Sequence, residues 1–155
     1  MADRIWHYTS ESCVTPILSS GELRVSDWER KNKVKPPGLW LSRNPIWENS
    51  ATKLVKENGI QRRLSLAEMH KDFGLIRFAL PFNKAELCTW ARYKHASNTP
   101  LEMYLNMEIV GLRDGANPQE WYVSFKNIPL SQCISCEKWN GTEWVNYTDL
   151  KKYSK

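Results

Sequence analysis

The chain has 155 residues with 22 Lys and Arg against 17 Asp and Glu, a formal net charge of +5, and is 41% hydrophobic, 25% charged and 12% aromatic. That composition fits one folded domain over residues 1–155 and excludes a disordered, collagen-like or coiled-coil chain. No run approaches the ~20 consecutive apolar residues of a bilayer span. The first residues lead straight into a strand-like segment, and Cys13, Cys88, Cys133 and Cys136 are too few and too scattered for a secreted disulfide scaffold. The expectation is a cytoplasmic protein with no membrane partner.

Ile5-Trp6-His7-Tyr8 is a β-branched and aromatic run that predicts a strand. Val14, Ile17 and Leu18 then recur at helical spacing up to Ser19-Ser20-Gly21, a helix with a glycine stop. Leu23-Arg24-Val25 predicts a brief strand, and the charged residues 27–35 end in Pro36-Pro37-Gly38, a loop that continues neither helix nor central strand. It delivers the strand Leu39-Trp40-Leu41-Ser42. Beyond the Asn44-Pro45 turn, Trp47, Ala51, Leu54 and Val55 predict a helix over 46–58, closed by Gly59.

Leu75-Ile76-Arg77-Phe78-Ala79-Leu80 is the strongest strand in the chain, stopped by Pro81. Residues 85–96 predict a helix with Leu87, Cys88 and Ala91 inward. Glu108-Ile109-Val110-Gly111 leads into a turn cluster over 113–118, from which Glu120-Trp121-Tyr122-Val123-Ser124-Phe125 emerges as a strand. Residues 134–139, Asn140-Gly141 and 142–145 read as a hairpin with a tight turn. Helices come early and strands dominate late without regular alternation, so the fold class is mixed α+β rather than a doubly wound parallel sheet. The chain has no P-loop and no G-x-G-x-x-G.

The spacing of Cys133 and Cys136 has no second pair to complete a tetrahedral set, and His7, His70 and His95 do not cluster near it, so no metal site is expected. Basic stretches such as Arg30-Lys31-Asn32-Lys33 and Arg62-Arg63 are solvated faces that permit nucleic acid without requiring it. Three features carry possible chemistry: His7 near the end of the first strand, Trp40 in the strand after the proline loop, and Glu120. A carboxylate that opens an aromatic strand must face solvent or sit in a site.

Taken in order, the three resemble the motif of the ADP-ribosyltransferase family, in its poly(ADP-ribose) polymerase-like and diphtheria-toxin-like branch. Members begin with a strand bearing His-Gly-Ser/Thr and a helix ending in a glycine-leucine segment; His7-Tyr8-Thr9 and Gly21-Glu22-Leu23 are similar. A Gly-Ile-Tyr-Phe-like strand and a Ser-Ala helix start are matched by Gly38-Leu39-Trp40-Leu41 and Ser50-Ala51, and Glu120-Trp121-Tyr122-Val123 resembles the glutamate-bearing strand.

The resemblance implies a split β-sheet core with flanking helices, and mono-ADP-ribosyl transfer from NAD to nucleic acid or protein, with nicotinamide released. It implies that His7 binds the adenosine ribose, that the Tyr8 backbone binds the nicotinamide amide, and that Trp40 stacks on the ring while Ser50 contacts its amide. Thr9 and Gly38 complete the cofactor-binding set, and Glu120 with His7 forms the catalytic pair. Glu120 would hold the ribose 2′-hydroxyl and stabilise the positive centre that develops as the glycosidic bond breaks.

Tyr8 stands where the family has glycine, Trp40 where it has tyrosine, and Lys53 where a second stacking aromatic is common. Pro118 replaces the acid of arginine-modifying members two residues before Glu120, which argues against protein arginine as acceptor. Related toxins of bacteria and phage modify nucleic acid, and a toxin implies a neutralising partner. The resemblance leaves the stretch between Asn58 and Ala116 unassigned. Two other classes remain: a non-catalytic NAD- or nucleic-acid-binding module on the same fold, and a nucleic-acid-binding domain with no NAD site.

Overall fold

A computed structural model describes residues 3–153. The first strand, β1 (Arg4–Ser10), runs into α1 (Val14–Ser20), which ends where Gly21 takes the left-handed conformation (φ 75°) and returns its N–H to the Ile17 and Leu18 carbonyls. Then follow β2 (Glu22–Leu23), the short helix α2 (Asp27–Lys31), β3 (Leu39–Ser42), and the pair β4 (Leu54–Glu57) and β5 (Ile60–Arg63). Helix α3 (Leu66–Phe73), opened by a capping box between Ser65 and Glu68, leads to β6 (Leu75–Pro81). The chain continues through β7 (Cys88–Thr89), α4 (Trp90–Ala96), α5 (Leu101–Arg113), β8 (Trp121–Ser124), β9 (Ile128–Pro129), β10 (Ser135–Trp139) and β11 (Trp144–Thr148).

Seven strands form one sheet in the order β11-β10-β6-β1-β3-β8-β7, and each neighbouring pair is antiparallel. The protein is therefore mixed α+β around a large antiparallel sheet. β6 reads as a nearly continuous apolar run because it lies deep in the sheet, with Leu75, Ile76, Phe78 and Ala79 fully buried. On one face Leu39 and Leu41 join Ile5, Ile76, Phe78 and Leu80 beneath Val14 of α1. On the other, Trp121 and Val123 pack with Trp90 and Tyr93 of α4 and Tyr104 of α5, while Tyr8 and Leu75 pack with Trp47, Leu64 and Met69.

Register is not uniform across this sheet. β1 and β6 match over seven pairs, from Arg4↔Pro81 to Ser10↔Leu75, and β3 and β8 over four, whereas β1 and β3 share one pair, Trp6↔Ser42. The sheet opens at that seam.

Several expected elements differ. Residues 46–58 are not a helix: turns carry the chain to β4, and Asn58 and Gly59 (φ 52° and 79°) form the turn of the β4–β5 hairpin. The helix expected over 85–96 begins at Trp90, after Cys88 and Thr89 have paired with β8. Glu108 to Gly111 belong to α5, and the charged stretch after Val25 holds α2, capped by Ser26. The strand expected from Glu120 begins at Trp121, because Pro118–Glu120 form a short turn capped by Asn117. Among the described residues no helix is long and apolar enough to cross a membrane.

Candidate functional site

A cleft of about 350 Å³ opens at the β1–β3 seam. Trp6, His7 and Tyr8 of β1 line it, with Trp40, Leu41 and Ser42 of β3, Glu48, Ser50 and Ala51 of the following loop, Arg63 of β5, Met107 of α5 and Trp121 of β8. Aromatic walls with a few polar groups are the usual make-up of a small-molecule site.

His7 lies one residue beyond the single β1–β3 pair, and its ring spans the gap: Nδ1 is 2.9 Å from the Trp40 carbonyl oxygen. A carbonyl only accepts, so Nδ1 carries the proton and Nε2 is left as the ring's acceptor. Burial pushes the His7 pKa below its ordinary value, and the hydrogen bond to Trp40 only partly opposes this, so the ring is neutral near pH 7.

Trp40 is half-buried. Its indole N–H donates to Glu29 at 3.2 Å, and its ring packs edge-on against Tyr93 at 5.0 Å and tilted against Trp90 at 5.6 Å. Glu29, itself buried, also accepts from the Gly38 N–H at 2.7 Å and from the Tyr93 hydroxyl at 3.3 Å. Gly38 thus acts below the cleft rather than in its wall. A Cβ there would lie 2.3 Å from Val123 Cγ1, so only glycine lets the chain enter β3 so close to β8.

Tyr8 turns its ring into the aromatic cluster, edge-on to Trp47 at 5.2 Å, and its hydroxyl donates to the Asn44 carbonyl. Burial holds its pKa well above the usual tyrosine value. Of the residues expected at the site, His7, Tyr8, Trp40 and Ser50 meet in the cleft, and Thr9, Gly38 and Glu120 lie outside its lining. Glu120 ends the turn before β8, half-buried, and its pKa is raised by burial and by the negative charge of Glu48.

Glu48 is the residue that sequence reasoning missed. It is 5% exposed and lines the cleft. Its Oε1 accepts from the Ser50 N–H (3.1 Å), the Ser50 hydroxyl (2.6 Å) and the Trp121 indole N–H (3.0 Å), while Oε2 accepts from the Ser42 hydroxyl at 2.6 Å. A signal was available: an acid between Trp47 and Ser50-Ala51 invites the same reasoning that singled out Glu120. Arg63 and Met107 come from the stretch that the resemblance leaves unassigned. Comparison of the chain with family models, with curated proteins and with solved structures finds no match.

Proposed function

We propose that the chain is an NAD-dependent mono-ADP-ribosyltransferase of the ADP-ribosyltransferase-like split-sheet kind, acting on a nucleic acid or protein acceptor. One observation carries the reading: His7 and Trp40 meet across the one-pair seam between β1 and β3, in an aromatic cleft, with Glu120 at the end of the turn that leads into the next strand, β8. A cleft of about 350 Å³ suits the nicotinamide riboside portion of NAD.

On this reading the neutral His7 accepts a hydrogen bond from a ribose hydroxyl through Nε2, since Nδ1 is committed to Trp40. Trp40 supplies a flat wall for the ring, held at a fixed angle by Glu29. Glu120 stabilises the positive charge that develops on the ribose as its C1′–nitrogen bond breaks. The bonding pair leaves with the nicotinamide nitrogen, a lone pair of the acceptor forms the new bond to C1′, and the acceptor's proton passes to solvent.

The test is nicotinamide release from NAD by the purified protein, with and without DNA, RNA and cell protein. Glu120→Gln is expected to lower the rate on the order of 10²–10³-fold. Release in none of these mixtures overturns the proposal. Because Glu120 is needed as the anion and its pKa is raised, release should fall on acidification from above the ordinary carboxylate range. Glu48→Gln should move that acid limb to lower pH.

A further inference from the structure

The charge inside the cleft has a purpose that NAD binding by itself does not require. Glu48 is buried at 5% exposure, and the partners of its two oxygens are hydroxyl, amide and indole donors, all neutral. Among the described residues no ion pair involves it. The cation of the same lining, Arg63, is committed elsewhere, with Nε 2.9 Å from Asp114 Oδ2 and Nη1 directed to the Ser50 carbonyl at 3.4 Å. Neutral donors stabilise a carboxylate without cancelling its charge, and the other cation near these walls, Arg77 over the Trp6 ring, is paired with Glu137, so Glu48 is the carboxylate of the lining that no cation offsets.

The walls add to the same preference. Trp6, Tyr8, Trp40 and Trp121 surround the space, and an indole or phenol face attracts a cation through its quadrupole. Three of the polar ends are taken up by the protein, the Trp121 N–H by Glu48, the Trp40 N–H by Glu29 and the Tyr8 hydroxyl by Asn44, while the buried Trp6 indole nitrogen has no hydrogen-bond partner among the described residues. A ligand there meets aromatic side chains, one unpartnered indole N–H and a buried carboxylate in the same lining, a set that suits a planar organic cation.

We infer that Glu48 is a charge-selecting residue, which with the aromatic walls makes the cleft prefer a cationic pyridinium ring to the same ring without its charge. The inference rests on the NAD reading for its natural ligand and predicts discrimination between oxidised NAD, whose ring is cationic, and reduced NADH, whose ring is neutral. Its position in the cleft rather than at the ribose separates it from Glu120.

Calorimetric titration of the wild-type chain with N-methylnicotinamidium and with neutral nicotinamide tests it, together with NAD and NADH. The expected result is that each cationic form binds about ten-fold or more tightly than its neutral counterpart, and that Glu48→Gln removes this preference; a folded variant that keeps the preference overturns the role of Glu48. The glutamine is close to isosteric and keeps an amide oxygen for the Ser50 and Trp121 donors, and circular dichroism checks that it folds. The wild-type comparison stands even if that variant does not fold.

Equal affinity for charged and neutral rings overturns the charge-selection inference and leaves the NAD reading intact. Preference for the cation without any nicotinamide release sustains the inference and overturns the transferase. Binding by none of the four ligands overturns both.

Discussion

Two hairpins in this protein turn on the same dipeptide, Asn58-Gly59 between β4 and β5 and Asn140-Gly141 between β10 and β11, and they have opposite fates. The second docks on β6 along Ser135 to Lys138 and becomes the edge of the seven-stranded sheet, burying Cys136 completely. The first stays a two-stranded ribbon, with Leu54 and Ile60 57% and 71% exposed. A positive-φ turn closes a hairpin locally, but a strand joins a core only where one of its faces has an apolar partner. The ribbon is fastened at its base: Val55 packs against the Trp47 and Met69 cluster, Arg62 bridges Glu57 and Glu68, Arg63 pairs with Asp114, and the Thr52 hydroxyl donates to the Leu64 carbonyl at 2.7 Å.

If the contrast is one of docking, the largest effect belongs to the strand on which the C-terminal hairpin leans. Phe78 lies opposite Cys136 and is fully buried, so Phe78→Ala is expected to cost about 3–5 kcal/mol in chemical denaturation. A loss below about 1 kcal/mol would show that the docked hairpin draws little from that face.

The two turns make a sharper comparison. Gly141 and Gly59 have φ of 102° and 79°, and alanine is strained at either by roughly 1 kcal/mol. Gly141→Ala is expected to lower the global unfolding free energy by that amount. Gly59→Ala should leave it unchanged and appear instead as faster hydrogen exchange in β4 and β5. Equal global losses would mean that both hairpins unfold with the core.

The smallest effect concerns pH. The Arg62 guanidinium holds the Glu68 carboxyl down at about 2, below its ordinary 4.5. A depressed pKa contributes stability that is fully present above the ordinary value and is lost as pH falls from there toward 2. Both groups are exposed, so salt should weaken the effect. Amides of β5 should therefore lose protection between pH 5 and 2 more steeply in the wild type than in Glu68→Gln, and parallel profiles would remove Arg62 as the fastening.

The same contrast explains what could be read in advance. Segments whose local pattern and tertiary role agree were legible: β1, β3, β6 and the C-terminal hairpin show strand-type runs, and α1 has its glycine stop. Residues 46–58 read as a helix because Trp47, Ala51, Leu54 and Val55 fall at helical intervals by accident, and because Asn58-Gly59 suits a helix end as well as a hairpin turn. In α5 the apolar residues Leu101, Met103, Leu105, Met107 and Ile109 fall at every second position, a strand-like period that gives a helix no single apolar face, and all five are exposed. Tertiary contacts hold it in place: Tyr104 against Trp90 and Tyr93, Gly111 against Trp121, and Glu108, which accepts from the Trp90 indole and pairs with Lys94. At the cleft, His7, Trp40 and Ser50 were legible through ordered motifs, whereas Glu48 was hidden inside the misread helix.

The seam between β1 and β3 divides the sheet mechanically as well. β11, β10, β6 and β1 form one plate and β3, β8 and β7 another; they share the core beneath α1, but between their edge strands there is a single registered pair and the His7–Trp40 hydrogen bond. The first and last strands both belong to the first plate, so a force applied between β1 and β11 loads the seven-pair β1–β6 ladder, the β6–β10 ladder and the β10–β11 ladder. The seam lies off that load path. A pull applied to the first and last strands therefore runs through ladders that do not include the joint opening onto the cleft.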